Sequence, residues 1–266
     1  MTNSNIDEKV AQHFDSIAGI YANNYSNETT YAYFFNQRLK IVSSFLDSCD
    51  RATVLDVGCG PGMMAKHALE RGFDFYGIDI SGKMIDTCIE KYGQTNSTHF
   101  SVGKIQDLQF PDAFFDIVLC MGILEYLDPT ELESAITKIS KVLKPDGQVI
   151  ISLMHKNSFY LWSRRTIAAL KAKIKGRKYD LDSYDGLART FDPQNFMSLL
   201  NSYHLNRDIE TVFFSLNVLP TFLEEKLTHK SKIAIAKRLD SIIKGRFKWP
   251  YIAFVVKAKK QSQSST

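Results

Sequence analysis

Three observations predict an α/β fold built on a mostly parallel sheet. From Ala52 onward, short apolar runs alternate with amphipathic segments. The first of these runs leads straight into a glycine-rich loop and then a helical pattern. The composition is that of an ordinary globular protein, 44% hydrophobic and 23% charged over 266 residues. A chain of this length buries a core without metal or disulfide staples. Strands that alternate with helices form a parallel sheet covered on both faces. Right-handed crossovers then bring the strand carboxyl ends to one edge, where ligands bind.

Residues 1–50 are expected to form a helical lid. Phe14, Ile17, Tyr21 and Tyr25 recur at spacings of three and four, and a second helix is expected from about Tyr31 to Leu46. Residues 51–155 hold the core. Its strands are ATVLDV, FDFYGIDI, THFSVG, FDIVLCM and GQVIISLM, and its helices MMAKHALERG, GKMIDTCIEKYG and PTELESAITKISKVLKPDG. The last helix carries Lys141 and Lys144 ahead of Pro145 and Gly147, a strong stop. After Met154 the alternation fails. A basic helix (about Ser158 to Lys175) is followed by a polar linker and a helix opening at Asp192-Pro193. Next come a strand, DIETVFFSLNVL, a long helix, FLEEKLTHKSKIAIAKRLDSIIKG, and a last strand, YIAFVVKAK. Residues 156–260 are thus a basic helical insertion plus elements that complete the sheet and cover a substrate site. The polar tail 261–266 is expected to be disordered.

The net charge, 33 basic minus 29 acidic residues or +4, is too small to imply nucleic acid, and no nucleic-acid-binding module is present. Cys49, Cys59, Cys88 and Cys120 stand too far apart for a zinc or redox pair, so no metal site is expected. The opening MTNSNIDEKV lacks an apolar signal core, which points to a reducing cytoplasm. No apolar run approaches the roughly 20 residues of a membrane span.

Residues 54–62 read Val-Leu-Asp-Val-Gly-Cys-Gly-Pro-Gly. Glycines at 58, 60 and 62 let the backbone approach a ligand closely, and the helix that follows offers free N–H groups. The spacing is G-x-G-x-G, with Met63 where a dinucleotide dehydrogenase has its third glycine. Asp56, two residues before Gly58, would repel a pyrophosphate and suits a ligand bearing an ammonium group. A nicotinamide-dependent dehydrogenase is the disfavoured alternative.

These residues resemble the class I S-adenosylmethionine-dependent methyltransferases, in their small-molecule branch of quinone and natural-product-like enzymes. VLDVGCGPG is similar to the family's first motif. Asp79, closing FYGIDIS 21 residues after Gly58, is similar to the acid that holds the ribose hydroxyls. FPDAFFDIVLCMGILEYLDP and LKPDGQVIIS resemble the fourth-strand region and the lead into the fifth strand, and HFDSIAGIYANNY the helix that closes over the cofactor. The match covers roughly residues 50–155. It implies a Rossmann-like, seven-stranded, mostly parallel sheet with a helical cover, and S-adenosyl-L-methionine as cofactor.

The resemblance assigns Asp56, Gly58, Gly60 and Gly62 to the methionine end and Asp79 to the ribose, and counts Cys59, Pro61 and Ile80 among the cofactor-binding residues. Met84 and Ile105 take the adenine faces, Met121 and Gly122 line the methyl channel, and Tyr21 reaches in from the lid. The chain departs from the pattern after the third strand. The branch's Gly-Asp-x-x-x-Leu is Gly103-Lys104-Ile105-Gln106-Asp107-Leu108 here, so Lys104 stands in the aspartate's place. The Ile105 N–H is then expected at the adenine ring, with Gln106 or Asp107 accepting from its amino group.

For catalysis the candidates are Glu125 and Tyr126, after the fourth strand, and His155, after the fifth. Imidazole is the usual general base near neutral pH. The alternatives are helix capping for the first two and a core position for His155. His13 and Tyr21 are weaker catalytic candidates. Cys120 lacks the Pro-Cys pair of base-carbon methyltransferases and is expected to be a small apolar strand residue. The Asn/Asp-Pro-Pro-Tyr/Phe signature of nucleobase-amine enzymes is missing at this point. Lys156, Arg164, Arg165, Lys171, Lys173, Lys175, Arg177 and Lys178 fall in 156–178 with no acid between them. That segment is either a solvated face or a contact for an anionic or carrier-bound acceptor or an acidic membrane surface. A second basic cluster comprises Lys244, Arg246, Lys248, Lys257, Lys259 and Lys260. The expected activity is methyl transfer to a small-molecule acceptor by in-line displacement, oxygen favoured over nitrogen or carbon on family frequency. A catalytically silent cofactor-binding partner subunit is the alternative. The oligomeric state is not legible.

Overall fold

The computed structural model describes residues 3–21, 25, 28–107, 109–174, 176, 188–217, 226–243 and 246–262. Seven strands form one sheet: β1 (Thr53–Val57), β2 (Asp74–Asp79), β3 (Thr98–Val102), β4 (Phe115–Met121), β5 (Leu143–Met154), β6 (Leu205–Leu216) and β7 (Tyr251–Lys260). Their order is β3-β2-β1-β4-β5-β7-β6. The first five pair in parallel, while β7 runs antiparallel between β5 and β6. The predicted mostly parallel sheet is thus observed, with β7 the one reversed strand.

Helices α1 (Asn3–Tyr21), α2 (Thr30–Leu46), α3 (Met63–Glu70), α4 (Gly82–Tyr92), α5 (Pro129–Val142), α6 (Phe159–Ile174), α7 (Pro193–Ser202) and α8 (His229–Ile243) surround the sheet. The central strands are buried on both faces, which is why they read as near-continuous apolar runs. Val54, Ile117 and Leu119 pack with Val42, Phe45 and Met64 on one side. Leu55, Val118 and Cys120 pack with Ile136, Ile139 and Leu200 on the other. Cys120 is fully buried in that second layer and burial pushes its thiol up, in keeping with an apolar strand residue.

Three boundaries differ from expectation. Helix α5 stops at Val142, and Leu143 already pairs with Phe115 in the sheet. The reason is Asp116, whose two oxygens accept from Lys144 Nζ at 2.9 Å each and hold the Lys144-Pro145 stretch extended. Strand β6 begins at Leu205, before its apolar run. Its polar start carries register shifts on both sides of Arg207, and Asp208 there has positive φ. Helix α8 begins at His229, where the Thr228 hydroxyl accepts from the Ser231 N–H at 3.2 Å. The expected helical residues 222–225 lie outside the described residues, as do Lys175, Arg177, Lys178 and Lys244 of the basic clusters and 263–266 of the tail.

Helix α1 lies across the carboxyl edge of the sheet and touches α4. Two acids on α1 tie it to the body, one at α4 and one beyond β3. Asp15 accepts from the Ser81 hydroxyl and, at 3.3 Å, from the Lys83 N–H at the head of α4. Asp7 pairs with Lys104.

Candidate functional site

The strand order reverses between β1 and β4, and a crevice opens outside their carboxyl ends, the usual ligand position in such a sheet. The loop after β1 is stitched to β2, the Gly58 and Cys59 N–H groups both donating to the Ile78 carbonyl at 2.8 and 3.0 Å. Asp79 ends β2 and ties the loop to α4. Its Oδ2 accepts from Gly60 N–H and its Oδ1 from Ser81 N–H, both at 2.9 Å. Burial raises its carboxyl above the ordinary range against the pull of these N–H groups. A carboxylate has about four lone-pair sites, and the N–H groups of Gly60, Ser81 and Ile80 do not use them all.

Two cavities meet here. A smaller one, about 120 Å³, is lined by Gly58, Gly60, Asp79, Ile80, Met84, Lys104, Ile105 and Gln106, among others. A larger one, about 280 Å³, lies under α1 and α2, walled by aromatic side chains and by Arg38, Glu125 and Tyr160. Phe14, Tyr21, Met121, Gly122 and Tyr126 line both. The residues expected at a ligand and those expected at an acceptor thus share one boundary.

Not every expected residue reaches a cavity. Asp56, Cys59, Pro61 and Gly62 line neither one; Asp56 lies directly behind Val57 and Gly58, which line the smaller. Gly62 serves packing: at φ +73° a Cβ there would stand 2.6 Å from the Tyr92 ring and 3.1 Å from Cys88 Sγ. Cys59 is buried, its thiol pushed well up by its neighbour Cys88 and by burial. Lys104 does line the smaller cavity, but its ammonium is engaged by Asp7. Asp107 closes a short 3-10 turn, Ile105–Asp107, outside the lining.

His155 requires correction. It is 4% exposed and lines neither cavity. Nδ1 faces the Tyr251 carbonyl at 3.1 Å, and the ring packs edge-on against Phe213 and Phe254. Desolvation lowers its pKa, so it is a neutral core histidine. Glu125 and Tyr126 do line the larger cavity. Glu125 is buried, and its Oε1 accepts from Met154 N–H at 2.7 Å. The imidazole that the described lining does include is that of His13, on the exposed side of α1.

The most informative group is Asp56. It is fully buried at the end of β1, and neither carboxyl oxygen has a donor among the described residues. Desolvation, with a further push from Asp79 and a counter-pull from Arg38, raises its pKa to about 8. A buried carboxyl with no partner is costly unless a ligand completes it.

Arg38, on α2, is the residue that sequence reasoning missed. It is 7% exposed, its guanidinium 4.6 Å from the Phe35 ring centre. Burial alone would lower its pKa, but Tyr25, Tyr21 and Glu125 outweigh that and raise it. Gly122 makes room for it: at φ +72° a Cβ there would lie 2.8 Å from Arg38 Nη1 and 3.3 Å from Glu125 Oε2.

Comparison with known proteins fits this geometry. Residues 55–151 match the family model described as a methyltransferase domain. Over that segment the chain is similar to the class I S-adenosylmethionine-dependent methyltransferases. A similar curated methyltransferase is the ubiquinone biosynthesis O-methyltransferase of Neisseria meningitidis, 30% identical over 158 residues, or 58% of this chain and 65% of that protein. Another is phosphoethanolamine N-methyltransferase 2 of Caenorhabditis elegans, 31% identical over 125 residues, 46% of this chain and 28% of that one. Against both, the chain spans less than two thirds of the relative's own length. Among solved structures, magnesium protoporphyrin IX methyltransferase from Synechocystis with bound S-adenosylhomocysteine superposes with a TM-score of 0.63 over 96% of this chain and 99% of its own, at 16% identity. That likeness is one of fold.

Proposed function

We propose that this chain transfers a methyl group from S-adenosylmethionine to a small-molecule acceptor, with oxygen the favoured nucleophile. The observation that carries the reading is the partnerless buried carboxyl of Asp56, set near the buried guanidinium of Arg38. The pair fits a zwitterionic amino-acid end: Asp56 takes the ammonium and Arg38 the carboxylate. Asp79 accepts the ribose hydroxyls, Gly58 and Gly60 give close backbone approach, and Ile80, Met84 and Ile105 form the apolar seat for the adenine. When bound, the cofactor supplies a methyl group activated on a sulfonium.

The protein's own contribution is orientation. Holding a nucleophile in line and excluding water supplies several kcal/mol of barrier lowering, on the order of what positioning gives elsewhere. Tyr21, Tyr126, Met121 and Gly122 stand at the junction of the two cavities and set the line of approach. Aromatic walls (Phe14, Tyr31, Phe34 and Phe35) suit a planar or amphiphilic acceptor. His13 replaces His155 as the group that takes the acceptor's proton. An anionic acceptor or one tethered to a carrier would find its counter-charge at Lys232, also on the cavity wall. A cytoplasmic setting rests on the four cysteines, all free.

The reading is tested by incubating the protein with methyl-labelled cofactor and fractionated metabolites, with mass analysis of the labelled product. Label on a hydroxyl is the expected result; label on nitrogen or carbon overturns the oxygen assignment, and retention of a nicotinamide in place of S-adenosylhomocysteine overturns the cofactor. Asp79→Ala weakens cofactor binding at least about tenfold, because it removes the acceptor for two hydroxyls and leaves the loop N–H groups it holds unpaired. Calorimetry reads this directly, and unchanged affinity refutes the ribose assignment. His13→Ala lowers kcat about 10²-fold or more, as loss of a general base does, and spares cofactor affinity. His155→Ala lowers thermal stability and leaves kcat within about twofold, since its bonds are to the core. The reverse pattern would restore His155 as the base.

A further inference from the structure

We propose that α6 and the turn before β7 form a docking surface for the headgroup region of an anionic lipid bilayer. Both tryptophans of the chain meet on this surface. Trp162 of α6 is 62% exposed and Trp249 is 48% exposed. The Phe159 ring bridges them, 5.7 Å from Trp162 and 5.6 Å from Trp249. Phe247 adds a further exposed ring two residues before Trp249. Along α6, Trp162, Thr166, Leu170 and Ile174 follow one another at intervals of four, hence along one side of the helix. Leu170 and Ile174 are 60% and 77% exposed. Large apolar side chains rarely line up in water without a partner.

The charges around this strip carry one sign. Lys156, Lys173, Arg246 and Lys248 are exposed and Arg165 is half-buried. No acid occurs between residues 156 and 178 or between 241 and 266. Of the acids near this face, Asp192 is engaged by Asn157 at 2.7 Å and Asp240 by the Tyr251 hydroxyl at 2.6 Å. Tryptophan rings sit at the boundary between headgroups and acyl chains, and lysines and arginines beside them gain from anionic headgroups. An interfacial helix therefore needs what α6 shows: an apolar strip with tryptophan, flanked by cations. A shallow groove lined by Lys156, Trp162, Arg165, Thr166, Ala169 and Trp249 lies open along this face. Among the described residues no helix is long and apolar enough to cross a membrane.

The placement has a consequence for the acceptor. Tyr160 of α6 lines the larger cavity, while Trp162, two residues on, faces outward. Docking brings the wall of that cavity to the lipid boundary, where an amphiphilic acceptor resides. The docking claim itself stands whichever ligand the cavities take.

The test is co-sedimentation of the full chain with vesicles of phosphatidylcholine alone and of equimolar phosphatidylcholine and phosphatidylglycerol, at low and high salt. Binding to the anionic vesicles exceeds binding to the neutral ones at least about tenfold and falls with salt. Tryptophan emission shifts to the blue on binding. Trp162→Ala with Trp249→Ala, and separately Lys173→Glu with Arg246→Glu, each reduce binding at least about tenfold. Both variants keep the wild-type melting temperature and affinity for S-adenosylhomocysteine, which separates loss of docking from loss of fold or cofactor site. Equal binding to both vesicle types, or no binding, overturns the proposal. So does a dimer in sedimentation that the tryptophan variants dissolve, which would make the strip a protein interface.

Discussion

Asp56→Asn lowers affinity for S-adenosylmethionine by about a hundredfold, as loss of one member of a buried charge pair does, and it stabilises the cofactor-free protein at high pH. The two effects have one cause. In the native chain Asp56 is buried without a donor among the described residues, and its pKa is about 8 against an ordinary 3.8. Between those values the folded state holds a proton that the unfolded state has lost. Stability therefore falls as pH rises from about 4 to about 8, and the deficit is complete above about 8. Asparagine carries no charge to desolvate, so the variant's gain over wild type grows through the same window. Thermal melts of the cofactor-free proteins across that range check the slope. A variant that gained nothing at high pH would mean that Asp56 already has its charge satisfied.

Arg38→Met produces the second large effect. Methionine keeps the stem that packs beside Phe35 but removes the guanidinium. Cofactor affinity drops by about 30-fold or more, since the ligand's carboxylate loses its paired donor. Stability falls as well, by about 3 kcal/mol, because Glu125 is left as a buried acid without its cation. Arg38→Lys does not rescue, because a point charge cannot replace a planar fork. In a cycle with Asp56→Asn the two losses are non-additive, as for residues serving one ligand. Additive losses would place Arg38 at the acceptor, whose cavity it also lines.

The sheet was legible because its strands are buried on both faces and leave uninterrupted apolar runs. The loop after β1 was legible for the same reason: nothing but a strand end explains an acid and three glycines between apolar segments. Asp79 followed from the same logic at β2. What was illegible depended on contacts distant in sequence. Lys104 broke the expected pattern, and its partner Asp7 lies 97 positions away on another element. Arg38 belongs to no motif. Its signal was its place on the buried stripe of α2, between Phe35 and Val42 and in step with Phe45, where an uncompensated cation would be expensive. His155 follows the end of β5, but not every residue at that end faces the ligand crevice. Period-two alternation after Met154, which lines the cavity, turns His155 to the opposite face, against Phe213 and Phe254, where the Tyr251 carbonyl engages Nδ1. The basic segment gave its charge in sequence, but the exposure of Trp162 and its meeting with Trp249 came from tertiary packing alone.

The central claim is that Asp56 and Arg38 form an ionic seat for an amino-acid end. Proton uptake or release on binding S-adenosylhomocysteine tests it most directly, measured by calorimetry near pH 6.5 in buffers of different ionisation heat. At that pH the Asp56 carboxyl is protonated in the free protein and the ligand's amine is already charged, its pKa being about 8. Closing the ion pair therefore releases close to one proton per ligand bound in the wild type and close to none in Asp56→Asn. Binding without proton release in the wild type, or identical release in both, would contradict the account.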